Sequence, residues 1–352
     1  MTRNPEKAKI SVIVPVYNSE HTLKQCLQAL KEQNDANYEV IVVDDASQDN
    51  SQQIARKSGF KTLNLPANKG QAVARNAGVK QASGEIIAFV DADVRVPVDW
   101  LKKYRQLLVK YTDADMICSG YSENTGDGLI GTFAFYETVY RRLNIPLYIS
   151  ASTSSNAVIY KQAFEVVGGY PEYYISANQQ RNNQKAVAVN EDAELGFLLG
   201  RQGSKIVWSH ENPVGHYFRN SWKAYLKQQI AFSRYALLSV FKFPGMLSNQ
   251  DIYSKQSLTA QLAVALIMLG AVLGLFFGPL GVLVTIVIET AGLVSFYFLN
   301  RKFIGYLQRN MINYSFRRVF YWLIVARLSC LYGLFLGFKD GCLMLFNKNL
   351  KR

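Results

Sequence analysis

An α/β fold built on a doubly wound parallel sheet, followed by a membrane-embedded C-terminal region, is predicted by three observations. β-Branched apolar runs alternate with helical patterns four times in the first hundred residues, which is how successive βαβ units read. Residues 258–299 contain a single charged residue, Glu289, a composition suited to lipid and long enough for two bilayer crossings. The formal net charge is +13, and many of the basic residues flank the apolar stretches (219–242, 301–318 and the last few residues). That placement suits an anionic membrane surface and argues against a nucleic-acid partner.

The elements follow in order. Lys9 to Tyr17 (KISVIVPVY) reads as a buried strand ending near Pro15. Asn18 and Ser19 can cap a helix from Glu20 through Gln33, with Leu23, Leu27 and Leu30 at helical spacing. Tyr38 to Val43 is a second strand that runs into Asp44-Asp45, and a helix over 50–58 leads to a short strand over 60–65. Asn68 to Gly78 (NKGQAVARNAG) opens on a glycine and continues as a helix. Glu85 to Asp93 (EIIAFVDAD) is the fourth strand, and it ends in two carboxylates one residue apart. Side chains alternate along a strand, so Asp91 and Asp93 are expected to point the same way. They would enter the crevice at the carboxyl end of the sheet, where ligands of open α/β folds sit. A divalent cation is the natural partner for such a pair; a solvated Asp-x-Asp at a strand exit is the plain alternative.

The Gly70 segment is neither G-x-G-x-x-G nor a P-loop, so dinucleotide and NTPase chemistry lose support. A different nucleotide site is nonetheless outlined. Asp44 and Asp45 leave the second strand beside Pro15-Val16-Tyr17, where an acid can accept hydrogen bonds from a ribose or a base or can cap the next helix. Lys69 and Arg75 can neutralise phosphate oxygens near a helix N-terminus.

Four motifs in register, SVIVPVYN, VVDDASQD, NKGQAVARNAG and FVDAD, resemble the family-2 inverting glycosyltransferases. The resemblance covers roughly the first 235 residues. It implies a GT-A fold, a nucleotide-sugar donor held near Pro15, Tyr17, Asp45, Lys69, Arg75 and Asp91, and a divalent metal (Mg or Mn) at Asp93 with help from Asp91. Residues 153–171 look like the acceptor-side segment, which contains Asn156, Gly168 and Gly169. Asn190-Glu191-Asp192 looks like the Glu-Asp motif whose Asp is the general base, and Val214-Gly215-His216 like the later His that contacts the metal or diphosphate. Inverting displacement needs a base on the acceptor hydroxyl and a charge sink on the leaving diphosphate. Asp192 would be the first and Asp93 with its cation the second. For Asp192 the bland reading is a first-turn helix acid, and for His216 a core or surface imidazole. The polar run Ser176 to Lys185 reads as a mobile loop able to close over donor.

Three regions speak to the membrane. Residues 128–149 are apolar and aromatic but broken by Glu137, Arg141 and Arg142, and read as an interfacial or acceptor-lining helix. Residues 219–256 read as amphipathic and interfacial: Lys223, Lys227 and Arg234 share a stripe with Trp222 close by. A solvated amphipathic helix is the alternative. The expected organisation is a GT-A domain over 1–218, the interfacial segment over 219–256, and a membrane region over 257–352. Spans are expected at about 258–277 and 280–299, broken at Gly278-Pro279, with a possible third segment over 319–338. If that third segment spans, Arg327 and Glu289 lie at similar depth and could pair.

The polar N-terminal residues give no expectation of a signal peptide before the first strand, and basic residues follow the second span, so the catalytic domain is expected in the cytoplasm, on the plasma membrane of a prokaryote. The four Cys lack pair spacing, so neither a zinc site nor a disulfide framework is indicated. The expected activity is transfer of a sugar from a UDP- or GDP-sugar to a hydroxyl of a membrane lipid or lipid-linked glycan. A polyprenyl-phosphate sugar synthase, whose phosphate nucleophile needs no base, and a non-catalytic nucleotide- or glycan-binding membrane protein are the alternatives. The Gln-x-x-Arg-Trp pattern of processive relatives is missing near Gln229, so polymer synthesis is not expected. Sugar, nucleotide and oligomeric state are not encoded in these motifs.

Overall fold

The computed structural model describes residues 3–172, 190–248, 278–311 and 315–349, together with residues 267 and 276. The run Ser176–Lys185 and nearly all of the first expected span, 258–277, lie outside the described residues. The chain forms two compact units, one of residues 1–127 and 144–218 and one of residues 128–143 and 219–352.

In chain order the first unit comprises β1 (Ile10–Val16), α1 (Glu20–Lys31), β2 (Tyr38–Asp44), α2 (Ser51–Lys57), β3 (Lys61–Asn64), α3 (Gln71–Lys80), β4 (Ile86–Val90), β5 (Val94–Arg95), α4 (Trp100–Lys110) and β6 (Met116–Asn124). After α5 (Leu129–Arg142), which belongs to the second unit, come β7 (Tyr148–Ile149), β8 (Asn156–Tyr160), α6 (Lys161–Val166), α7 (Glu191–Arg201) and β9 (Ile206–His216). Among the described residues, one sheet holds nine strands in the order β3-β2-β1-β4-β8-β6-β9-β5, with β7 on β9.

The first four strands are parallel, as their uniformly apolar sequences predict. Beyond β4 the sheet is mixed: β8 is antiparallel to both β4 and β6, while β9 is parallel to β6. The all-parallel expectation is corrected there, and the reason is local. Every residue of β8 is buried, so its sequence shows a two-sided core strand without showing its direction. Pro15 fits inside this central sheet because β4 pairs only with Ile10–Ile13 of β1, leaving its missing N–H beyond the end of that ladder.

The sheet changes direction at β1. Strands β2 and β3 are laid down on one side of it and β4 on the other, so β1 and β4 flank the switch point at which a crevice opens. Gly78 of α3 brings that helix onto β1, since a Cβ there would stand 2.5 Å from Ile13 Cγ2.

The second unit contains α5, α8 (Trp222–Lys242), a 3-10 turn (Pro244–Ser248), α9 (Gly278–Asn310) and α10 (Phe316–Asn349). Among the described residues, two stretches are long and apolar enough to cross a membrane: Gly278–Asn310 and Phe320–Met344. The apolar window of the first is only 6% buried, against 39% for the second, while the later turns of α9 bury Phe296, Phe303, Ile304 and Leu307.

What covers α10 is α8. Gly333, Gly337 and Gly341 form a stripe one turn apart on α10, set against the backbone of Ile230 and Arg234 and the ring of Phe241. A Cβ at Gly337 would stand 2.5 Å from the Arg234 carbonyl oxygen. Contact positions rise together along both helices, so the two run in the same direction. This corrects the expected basic stripe. Lys223 and Lys227 are exposed, but Arg234 is turned onto Asp340, with Nη2 2.5 Å from Oδ2. Trp222 stacks on Tyr225, ring centroids 5.3 Å apart. Arg327 pairs with Glu137 of α5, Nη1 to Oε1 3.3 Å, and not with Glu289.

Candidate active site

A cavity of about 310 Å³ opens at the switch point, lined by Pro15, Tyr17, Ser19, Asp45, Asn68, Gly70, Gln71, Asp91 and Asp93 among others. The carboxyl ends of β1 and β2 are tied together there. Asn18, at φ 49°, receives a hydrogen bond from Gln48 N at 2.8 Å and donates its own N–H to Ser47 Oγ at 3.0 Å. Pro15 and Tyr17 thereby become a fixed wall of the cavity.

Asp45 is buried and faces the cavity, and it also anchors the loop before α3. Its oxygens accept from Lys69 N at 2.8 Å, Gly70 N at 2.7 Å and Asn68 Nδ2 at 3.1 Å. Burial pushes its pKa up, and the backbone donors oppose the shift. Lys69 is held by its main chain while its side chain stays exposed, free to swing towards an anion.

Asp91 and Asp93 both line the cavity, for a different reason than the strand pleat. Strand β4 ends at Val90, and residues 91–93 form a turn closed by Val94 N to Asp91 O at 3.1 Å. Register then brings His216 to Asp93: Val94 of β5 lies opposite His216 of β9, and Tyr217 N donates to Asp93 O at 2.9 Å. His216 Nε2 is 3.5 Å from Asp93 Oδ1.

The implied divalent cation can be tested against these donors. Among the described residues no three His, Cys, Asp or Glu side chains are grouped to hold an ion by themselves. Asp93, 37% exposed, and His216 converge from one side. Such a pair fits a cation that takes its remaining ligands from diphosphate oxygens and water, as Mg-type sites do. Asp91 fits less well, because its Oδ1 already accepts from Arg75 Nη2 at 2.7 Å.

Arg75 is the hub of the site, which corrects its expected role at a donor phosphate. Its side chain is 1% exposed. Nη2 holds Asp91, Nη1 holds Glu191 Oε1 at 3.0 Å, and the same Nη1 lies 4.0 Å from Asp192 Oδ1. Burial disfavours the charged guanidinium, but Asp91, Asp192 and Glu191 together raise its pKa. Its plane also lies over the Tyr170 ring at 5.3 Å. Glu191, the first acid of the Glu-Asp motif, is likewise turned inward and takes a short hydrogen bond from Gln71. The sequence reading missed Gln71 as a site residue, although it lies within a quoted motif.

Asp192 sits in the first turn of α7, after Asn190 in a left-handed conformation at φ 87°. Its Oδ2 accepts from Ser154 N at 3.3 Å, and its carbonyl accepts from Ser152 Oγ at 2.6 Å. The side chain is 32% exposed, while Oδ1 is buried with no hydrogen-bond donor among the described residues. Burial, with Glu191 next in weight and Arg75 opposing, pushes its carboxyl up to about 7. A carboxylate tuned to that range is poised as a general base.

Gly196 makes this placement possible. A Cβ there would stand 2.5 Å from Ser152 N and 2.6 Å from Ala151 Cα, so α7 rests directly on the main chain carrying Ser152 and Ser154. Gly196→Ala, which raises helix propensity by about 1 kcal/mol in an unpacked helix, is expected here to push Asp192 out of place and lower kcat about tenfold or more, the cost of sub-ångström misplacement of a reacting group. Steady-state kinetics with unchanged nucleotide affinity would show it.

The expected acceptor-side residues lie elsewhere. Asn156 is fully buried and accepts from Trp100 Nε1 at 2.8 Å and Tyr104 OH at 2.7 Å while donating to the carbonyls of Gly120 and Asn212. It is a core cross-link and cannot touch an acceptor. Gly168 and Gly169 end α6 with φ of +79° and +78°, a turn that Asn76 fixes through hydrogen bonds to both Tyr170 N and Tyr170 O.

Comparison with known proteins places these features. Residues 11–168 match the family described as Glycosyl transferase family 2. Glycosyltransferase AglE of Haloferax volcanii is 26% identical over 266 residues, 71% of this chain and 84% of the relative. The UDP-Glc:alpha-D-GlcNAc-diphosphoundecaprenol beta-1,3-glucosyltransferase WfgD of Escherichia coli is 32% identical over 127 residues, 35% of this chain and half of its own length. Among solved structures, the mannosyltransferase PcManGT of Pyrobaculum calidifontis, in complex with GDP-Man and Mn2+, superposes with a TM-score of 0.56 at 16% identity, covering 92% of this chain and 87% of that one. The mixed α/β sheet of the first unit is GT-A-like, and the C-terminal apolar helices follow it.

Proposed function

The chain carries a glycosyl transferase family 2 domain and is a glycosyltransferase, and from that premise we propose that it moves a sugar, with inversion, from a UDP- or GDP-sugar to a hydroxyl of a membrane-held lipid or lipid-linked glycan at the cytoplasmic face. One observation carries this reading. A single buried guanidinium, Arg75, grips Asp91 at the donor cavity with one nitrogen and faces Asp192 with the other. The base and the leaving-group site are therefore built on one support.

In this reading Asp192 accepts the proton of the acceptor hydroxyl while that oxygen attacks the anomeric carbon. The bond from that carbon to the diphosphate breaks, and its electron pair leaves on the diphosphate oxygen. Pro15, Tyr17 and Asp45 line the nucleotide cavity, and Lys69 is free to meet phosphate charge. Asp93 and His216 would hold a divalent cation, whose chemistry, when bound, is neutralisation of the departing diphosphate. A hydroxyl acceptor is favoured over a lipid phosphate because a phosphate nucleophile has no use for a carboxyl tuned to about 7. The name of WfgD, which includes a sugar-bearing diphospholipid, points the same way. The apolar helices α9 and α10 support membrane anchoring, and the basic stretch 301–318 after the apolar 280–299 supports a cytoplasmic catalytic unit.

The test is nucleoside diphosphate release by the full chain in detergent micelles, with UDP- and GDP-sugars, Mn or Mg, and with or without total membrane lipid. Release is expected to require lipid and to stop with a chelator. Release that proceeds equally without lipid would overturn the membrane-held acceptor.

A further inference from the structure

We propose that the buried cluster around Arg327 is a binding site for the phosphate of a membrane lipid. The cluster lies wholly within the second unit. Glu137 of α5, 2% exposed, receives Arg141 Nη2 at 2.6 Å and Tyr225 OH at 2.5 Å, and Arg327 Nη1 lies 3.3 Å away. One carboxylate thus serves two guanidiniums, and the cluster keeps one positive charge in surplus.

Arg327 is 4% exposed, and its Nε and Nη1 make no hydrogen bond among the described residues. A guanidinium does not shed its proton, and the carboxylate it faces, Glu137, is shared with Arg141, so its unbonded N–H groups suit an anion with several acceptor oxygens. A phosphate offers these, with geometry that matches the guanidinium fork. Asp340, the single acid in the sequence of α10, is engaged by Arg234.

The surroundings select a lipid-borne phosphate. Arg141 is 34% exposed and gives the cluster an open side. Trp222 and Trp322, ring centroids 6.3 Å apart, stand beside it as amphipathic rings do at headgroup level. The proposal rests on the functional reading only in that the lipid would be acceptor or anchor; binding itself needs neither donor nor turnover, so the two can fail separately.

The test uses the full chain in maltoside micelles, which contain no phosphate. A polyprenyl monophosphate, the corresponding unphosphorylated polyprenol and inorganic phosphate are each titrated while Tm is followed. Saturable protection by the polyprenyl phosphate is expected, with apparent affinity falling about tenfold or more in Arg141→Gln, the order of one lost charge-assisted hydrogen bond. Arg141→Gln leaves the Glu137–Arg327 pair in place and guards against loss of fold in Arg327→Gln; binding of UDP and GDP should be unchanged in it. Equal protection by polyprenol, or an Arg141→Gln protein that binds the phosphate like wild type, would overturn the site. Protection by inorganic phosphate at the same affinity would keep the anion site and overturn its lipid source.

Discussion

Asp192→Asn is expected to lower kcat about 10²- to 10⁴-fold, the usual contribution of a positioned general base, while leaving donor affinity intact. The pH profile gives the same residue a second signature. With its carboxyl pushed up to about 7, wild-type kcat should fall about tenfold per unit below that value as the base becomes protonated. Stability runs the other way. A carboxyl whose folded pKa exceeds its unfolded value of 3.8 contributes fully below 3.8, and that contribution is lost as pH rises through about 7. Asp192→Asn should therefore be no less stable than wild type at pH 8 while being nearly inactive. A variant that keeps most of its turnover would show that proton removal is not needed, and would return attention to a phosphate nucleophile.

Arg75→Met is expected to be the most damaging single change to the catalytic unit. It leaves Glu191, 1% exposed, without its cation, and breaking a buried pair from one side costs about 3–5 kcal/mol. Arg75→Lys should recover little, since one ammonium cannot span Asp91 and Glu191 as the guanidinium fork does. The double variant Arg75→Met, Glu191→Gln should regain much of the stability, because no buried charge is then stranded, yet stay slow because Asp91 and Asp192 lose their common support. Chemical denaturation combined with kinetics separates the two effects. Equal denaturation midpoints for wild type and Arg75→Met would remove Arg75 from the centre of the site.

Much of the first unit was legible in the chain. Strands β1 to β4 and helix α3 announce themselves by apolar runs and turn residues, and Asp91, Asp93 and Asp45 do line one cavity. What local pattern could not reveal was contact across long separations. Nothing near Arg75 says that its partner is Glu191, 116 positions away. Asn156 carries the polarity of a binding residue, and only the tertiary fold shows Trp100 and Tyr104 consuming it. Glu137 breaks an apolar run in a way that suggests an interface, but its pairing with Arg327 depends on helices far apart in sequence. The glycine stripe of α10 likewise has meaning only once α8 lies on it.

The shared direction of α8 and α10 has a topological consequence. Two helices that run side by side the same way can both traverse a bilayer only when an odd number of traverses separates them. The apolar stretches 258–277 and 280–299, if both cross, supply two. Parity then forbids α8 and α10 from crossing together, and their long mutual contact keeps either from crossing alone. The pair would then lie together as a raft along one leaflet.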